Sequence, residues 1–207
     1  LDVAAAFPLT YLTAWHMLIT RCGVQAGDRV LIHAAGSGVS AAATQIARLH
    51  GARVFVTAGS DDKVQRAIEN GAEAGVNYRE EDWTKAVKAW AGRDGVDIIV
   101  DHVGRDTLPK GIWLLARGGR IVTCGVTSGA EMQIHFAPLF FKTLSILGST
   151  MGGLGEVKRI ADLVFSGALQ PIIDRRYSLE QIADAHRRMS DRQVFGKIVV
   201  QVDPSLT

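Results

Sequence analysis

The strongest constraint on this chain is a repeated alternation, in which short apolar runs of four to six residues take turns with longer segments of helical spacing. Arg29–Ala34, Arg53–Thr57, Ala74–Asn77, Val96–Asp101, Arg120–Cys124 and Leu144–Gly148 predict strands. Ala41–His50, Asp61–Asn70, Trp83–Ala91, Thr107–Ala116 and Leu154–Phe165 predict the helices between and after them. Runs such as RVLIHA and VDIIVD are nearly continuous in apolar residues, as in strands buried on both faces. A helix after every strand but the fifth, where Gly125–Phe141 reads as a loop, favours parallel pairing, because a parallel crossover needs a long connection. The expected class is α/β, a doubly wound parallel sheet of about six strands with helices on both faces.

Between the first strand and its helix the chain uses only small residues. Gly36-Ser37-Gly38-Val39-Ser40-Ala41 is a literal G-x-G-x-x-A. Such a turn lets backbone N–H groups approach a pyrophosphate, whose charge the helix N-terminus stabilises, and its place between strand and helix makes the sheet Rossmann-type. Small residues also let a helix and a strand pack closely, so the turn alone is a weak signal.

The end of the second strand is the next informative place. An Asp or Glu roughly 20 residues beyond the glycines would bond the ribose 2′-OH of NAD. Here the chain reads Thr57-Ala58-Gly59-Ser60-Asp61-Asp62-Lys63. Ala58 and Gly59 leave room for a 2′-phosphate, Ser60 can donate to it, and Lys63 supplies positive charge, which favours NADPH. The competing assignment makes Ser60 or Asp61 a helix cap and Lys63 a solvated cation, and both can hold together.

Composition narrows the class further. The net charge of +2 comes from 23 basic and 21 acidic residues spread along the chain, which argues against nucleic acid or an anionic membrane as partner. Cys22 and Cys124 stand far apart, outside disulfide or zinc-finger spacing, which fits a reducing, cytoplasmic setting. No apolar stretch reaches membrane-spanning length, and LDVAAAFPLT lacks the pattern of a signal peptide. A chain opening on Leu1, with helical sequence to Ile19 at once, predicts a segment in front of it.

These motifs together resemble the coenzyme domain of the medium-chain dehydrogenase/reductase superfamily, most of all its quinone oxidoreductase and alcohol dehydrogenase branches. The resemblance runs over essentially the whole chain. Its carriers are Leu12-Thr13-Ala14-Trp15, HAAGSGVSAAATQIA, GSDDK, VNYREED, VDIIVDHVG, GGRIVTCG and the closing Phe195-Gly196-Lys197-Ile198-Val199. One departure stands out: aligned on Val39, the family's G-x-G-G-V-G turn reads Ala35-Gly36-Ser37-Gly38-Val39-Ser40.

The resemblance implies that Gly36, Ser37, Gly38 and Val39 lie under the pyrophosphate and that Lys63 and Tyr78 approach the 2′-phosphate. It implies that Val103, Gly125 and Val126 flank the nicotinamide ribose, and it places Lys197 of the closing motif among the coenzyme residues. It implies an oxidoreductase moving a hydride between NADP(H) and a carbonyl, quinone or activated alkene, with substrate and proton-relay groups on an N-terminal barrel-like domain not encoded here. Catalytic zinc is not expected, since Val3-Ala4-Ala5-Ala6-Phe7-Pro8 stands where the zinc branch has a ligand. Residues 1–22 would connect to that domain, 23–166 would form the dinucleotide-binding unit, and 167–207 would return to the catalytic side. A homodimer through Leu144–Gly148 is the implied association.

The rival assignments are a zinc-dependent alcohol dehydrogenase, a non-catalytic NADPH-binding or redox-sensing module, and an enoyl reductase unit of a polyketide synthase. His33 reads as a bonded core histidine, and Asp101-His102 as either cleft lining or a loop cap. Tyr11, Tyr78 and Tyr177 lack the Tyr-x-x-x-Lys spacing of short-chain reductases, and Trp15, Trp83, Trp90 and Trp113 read as packing anchors.

Overall fold

The computed structural model describes residues 1–203. Six parallel strands form the central sheet: β1 (Arg29–Ile32), β2 (Arg53–Ala58), β3 (Ala74–Asn77), β4 (Val96–Asp101), β5 (Leu115–Thr123) and β6 (Ser145–Gly148). Their order across the sheet is β3-β2-β1-β4-β5-β6, with Val30 beside Val54 on one flank and Ile98 on the other. The fold is the Rossmann-type α/β sheet expected. Because the order reverses between β1 and β4, their carboxyl ends diverge there and leave a crevice in which open α/β sheets bind ligands.

The strands alternate which layer they fill. Val30 and Ile32 join Val54, Val56, Ile98 and Val100 in one core, while Leu31, Phe55 and Ile99 point into the other. The first core is closed by α2 (Pro8–Trp15), α3 (Gly38–Leu49) and α8 (Leu154–Phe165), the second by α5 (Trp83–Ala91) and α6 (Leu108–Leu114). The remaining crossover helix, α4 (Asp61–Glu69), packs on β2 and β3. Helix starts follow their capping chemistry: Ser37, Ser60 and Asp82 each accept a backbone N–H of the first turn.

Several boundaries differ from expectation. The opening helix breaks into α1 (Asp2–Ala6) and α2, because Pro8 occupies a helix start and cannot donate to a continuing ladder. It then widens into a π-helical segment, His16–Arg21, where Cys22 N donates to Met17 O five residues back. Helix α3 begins at Gly38 instead of Ala41, so the glycine turn is already its first turn. The loop after β5 contains a short helix, α7 (Ala137–Phe141).

The tail departs most. The pattern predicts a helix over Ser178–Ser190 and a strand over Lys197–Val202; besides the matching α9 (Ile182–Ser190) and β8 (Lys197–Gln201) the tail holds β7 (Ile173–Ser178), which pairs in parallel with β8 as a separate two-stranded sheet. IDRRYS lacks the apolar density of the central strands because the small sheet is only partly covered.

Candidate nucleotide-binding site

The turn after β1 is tightly constrained. Ala34 adopts a positive φ of 54° and Ser37 N donates to Ala34 O at 2.9 Å, which folds the chain back beneath α3. Ser37 Oγ then accepts Val39 N at 3.2 Å. A Cβ on Gly36 would meet Lys63 Cδ at 3.1 Å and Val194 O at 3.1 Å; one on Gly38 would meet Lys197 Cδ at 2.9 Å and Thr10 Cγ2 at 3.1 Å. The glycines are therefore crowded by two lysine stems and by the tail. Gly196 N donates to Gly36 O at 3.0 Å, so the closing loop is hydrogen-bonded onto the turn.

A second corner forms where β2 and β3 end. Gly59 faces Tyr78, whose Oη would lie 2.7 Å from an added Cβ, with Arg79 Nε at 3.4 Å. Lys63, on the first turn of α4, shares its N-cap: Ser60 Oγ accepts Lys63 N at 3.4 Å. Partial burial, together with the charges of Arg66 and Arg79, holds the Lys63 ammonium below the usual lysine range against the pull of Asp174 and Asp62. Ala58, Gly59, Ser60, Lys63 and Tyr78 thus lie around one corner, and Ser60 is a helix cap as well. Arg79, which no sequence motif singled out, also faces this corner, directly after Tyr78 at the end of β3.

On the other side of the crevice the loops after β4 and β5 are stitched together. Thr127 N donates to His102 O at 3.1 Å and Ser128 N to Val103 O at 2.8 Å. Gly125 approaches His102, with 3.5 Å from an added Cβ to His102 Cβ, and Val126 is exposed. Val103, Gly125 and Val126 therefore share one pair of loops. Asp101 is buried and caps its own loop, accepting Val103 N, Gly104 N and Thr107 Oγ1 at 2.7–2.9 Å. His102 Nε2 lies 2.9 Å from Ser40 Oγ, linking this side to the first turn of α3.

His33 is buried beneath the crevice, its Nδ1 2.9 Å from Thr57 Oγ1 and its ring edge-on to Trp83 at 4.8 Å. Burial, reinforced by His102 and opposed by Asp101, pushes its pKa down to about 4, so the ring is neutral at pH 7. Tyr11 is buried and donates to Gln45 Oε1 and Gln170 O at 3.0–3.1 Å. Trp113, expected to be a packing anchor, is instead 52% exposed beside His135. An open groove of about 460 Å³ between α5 and α6 is lined by Tyr78 and Trp83 where it meets this region.

Cys22 is buried, which pushes its thiol up to about 12. No three His, Cys, Asp or Glu side chains among the described residues stand together to hold a metal ion, so these residues supply no zinc ligand set. No helix among them is long and apolar enough to cross a membrane.

The family model described as "Zinc-binding dehydrogenase" matches residues 38–166, and the chain belongs to that dehydrogenase family, within the medium-chain dehydrogenase/reductase superfamily. It is 34% identical to human quinone oxidoreductase over 191 residues, covering 89% of this chain and 57% of that protein. A solved NAD-dependent alcohol dehydrogenase superposes with a TM-score of 0.92 at 48% identity, over 98% of this chain and 59% of the other. A crotonyl-CoA carboxylase/reductase, AntE, solved with NADP, superposes with a TM-score of 0.90 at 25% identity, over 97% and 56%. The chain thus spans little more than half the length of the relatives it matches.

Proposed function

We propose that this chain is the coenzyme-binding part of an oxidoreductase that transfers a hydride between NADP(H) and a carbonyl, quinone or activated alkene. The observation that carries the reading is the crowded glycine turn at the strand-order reversal, with α3 starting immediately above it. A Cβ at Gly36 or Gly38 would push against lysine stems, so glycine at these positions lets Lys63 and Lys197 lie directly against the turn, and the α3 N-terminus adds favourable charge for a pyrophosphate. Bound NADPH supplies the hydride. In this reading the Gly36–Ser40 turn holds the diphosphate, Lys63, Ser60 and Tyr78 hold the 2′-phosphate, and the paired loops bearing Val103, Gly125 and Val126 position the ribose beside the nicotinamide. Lys197 adds charge beside the turn.

The corner at Gly59 supports NADPH, since β2 ends without the acidic residue that would bond a free 2′-OH. The relative named as an NAD-dependent alcohol dehydrogenase favours the alternative coenzyme, so both must be titrated. We expect NADPH to bind more tightly than NADH, with Lys63→Ala removing most of the difference. Binding of neither nucleotide defeats the central reading; equal binding unaffected by Lys63→Ala defeats only the coenzyme choice.

Residues 1–22 and 167–207 are read as connections to a substrate-binding unit and 23–166 as the coenzyme unit. Turnover of test enones or quinones by the full-length protein separates an enzyme from an NADPH-sensing module, and metal analysis of that protein separates a zinc-dependent dehydrogenase. Homodimerisation through Leu144–Gly148 is supported by β6 lying at the end of the sheet, paired on one side by β5. The two free thiols support a reducing, cytoplasmic setting.

A further inference from the structure

The tail holds one buried carboxylate that no part of the proposed hydride transfer uses. The Asp174 side chain, in β7, is 2% exposed. Arg188 of α9 meets it twice, Nε to Oδ2 at 2.6 Å and Nη2 to Oδ1 at 3.3 Å. Arg66 of α4 reaches it from the central domain at 3.5 Å, and Phe195 N donates to it at 3.3 Å. Burial opposes its ionisation, but the Arg188 bonds, the Phe195 N–H and the charges of Arg188 and Arg66 together hold its carboxyl below the usual range. Two guanidiniums and a backbone N–H keep the carboxylate charged.

What this cluster fixes is the roof over the coenzyme corner. Arg188 also donates to Gln193, through Nη2 to its carbonyl at 3.2 Å and through Nη1 to its Oε1 at 3.3 Å. Next to Gln193, Arg192 holds a positive φ of 55° and turns its carbonyl onto Lys63 Nζ, which donates to it. Arg66 lies one turn beyond Lys63 on α4, its guanidinium 4.5 Å from the centre of the Phe195 ring. Lys63 is thus fixed from two sides that both lead back to Asp174: its own helix through Arg66, and the carbonyl it touches through Arg188.

We propose that Asp174 is a positioning residue for the 2′-phosphate site, tying α4, α9 and the closing loop together so that Lys63 is held over Gly36 in reach of the coenzyme. It touches no coenzyme atom and acts through Lys63. The proposal rests on the NADPH reading above and adds the residue that sets the selectivity of that site.

The test measures affinity of the whole chain for NADPH and NADH in the parent, Asp174→Asn, Arg66→Met, Lys63→Ala and the Lys63→Ala/Asp174→Asn double variant. Arg66→Met loosens the same carboxylate more gently, so the comparison survives if Asp174→Asn does not fold. Expected are a loss of about tenfold for NADPH in Asp174→Asn and Arg66→Met, less than about threefold for NADH, and a double variant no weaker than Lys63→Ala alone. Equal losses for both nucleotides, or losses that multiply in the double variant, would overturn it, because a merely structural role moves both coenzymes alike. A parent that does not prefer NADPH removes the coenzyme reading and this inference together; a parent that prefers it while Asp174→Asn and Arg66→Met both match the parent removes this inference alone.

Discussion

The two ends of the sheet treat their own surface in opposite ways. Beside β1, β2 and β3 the chain covers itself: the closing loop bonds to Gly36, Phe195 is 1% exposed, and Asp174 binds three separate segments. Beside β6 it stops covering itself. Phe136, Phe140 and Phe141 are 65–69% exposed, and Ile146 of β6 lies partly open at the end of the sheet. One end obtains its stability from contacts within the chain; the other leaves apolar area that gains free energy only when a second surface removes it from water. The self-covered end is where the coenzyme reading places its phosphates, and phosphate recognition needs groups already held in position.

The largest expected effect tests the covered end. Phe195→Ala should cost about 3–5 kcal/mol in denaturant unfolding, as for other buried aromatic truncations, and a cost below about 1 kcal/mol would break the contrast. His33 gives the next. Its folded pKa of about 4 lies below its unfolded value, so the unfolded chain takes up the proton first as the pH falls. The stability linked to it is fully present above about pH 6.5 and is lost toward pH 4, amounting to about 3 kcal/mol. Unfolding midpoints at pH 7 and pH 4.5 should converge for His33→Gln relative to the parent.

A smaller effect is expected at the coenzyme corner. Gly59→Ala puts a methyl 2.7 Å from Tyr78 Oη, and Tyr78 can swing into solvent, so stability should hold while NADPH affinity falls on the order of tenfold, about 1.4 kcal/mol. The smallest is at the open end. Phe141→Ser should change unfolding of the isolated chain by less than about 0.5 kcal/mol, because the ring is already in water. Sedimentation of the same variant should show weaker self-association; a large loss of stability with unchanged association would reverse the comparison.

Much of this was legible in the residues because it is local. The six strands, the glycine turn and the Ser60–Lys63 segment each depend on neighbours a few positions apart, through apolar periodicity, capping and the small size of glycine. Trp113 misled because its place on an apolar helix says which residues surround it in sequence, not which face meets the core. The opening segment is legible only as helical to Ile19, because apolar spacing runs through Pro8 while the missing N–H there splits α1 from α2.

The sequence by itself determined the class of fold, the family and the position of the glycine turn, since each is written in short-range pattern. Only the tertiary structure decided the strand order, the return of the tail over Gly36, and the company Lys63 keeps with Arg79 and Asp174. Those depend on pairs such as Lys63 and Arg192, 129 positions apart. No local propensity encodes such a pair; it forms when the packed sheet and the two-stranded tail bring the two segments together.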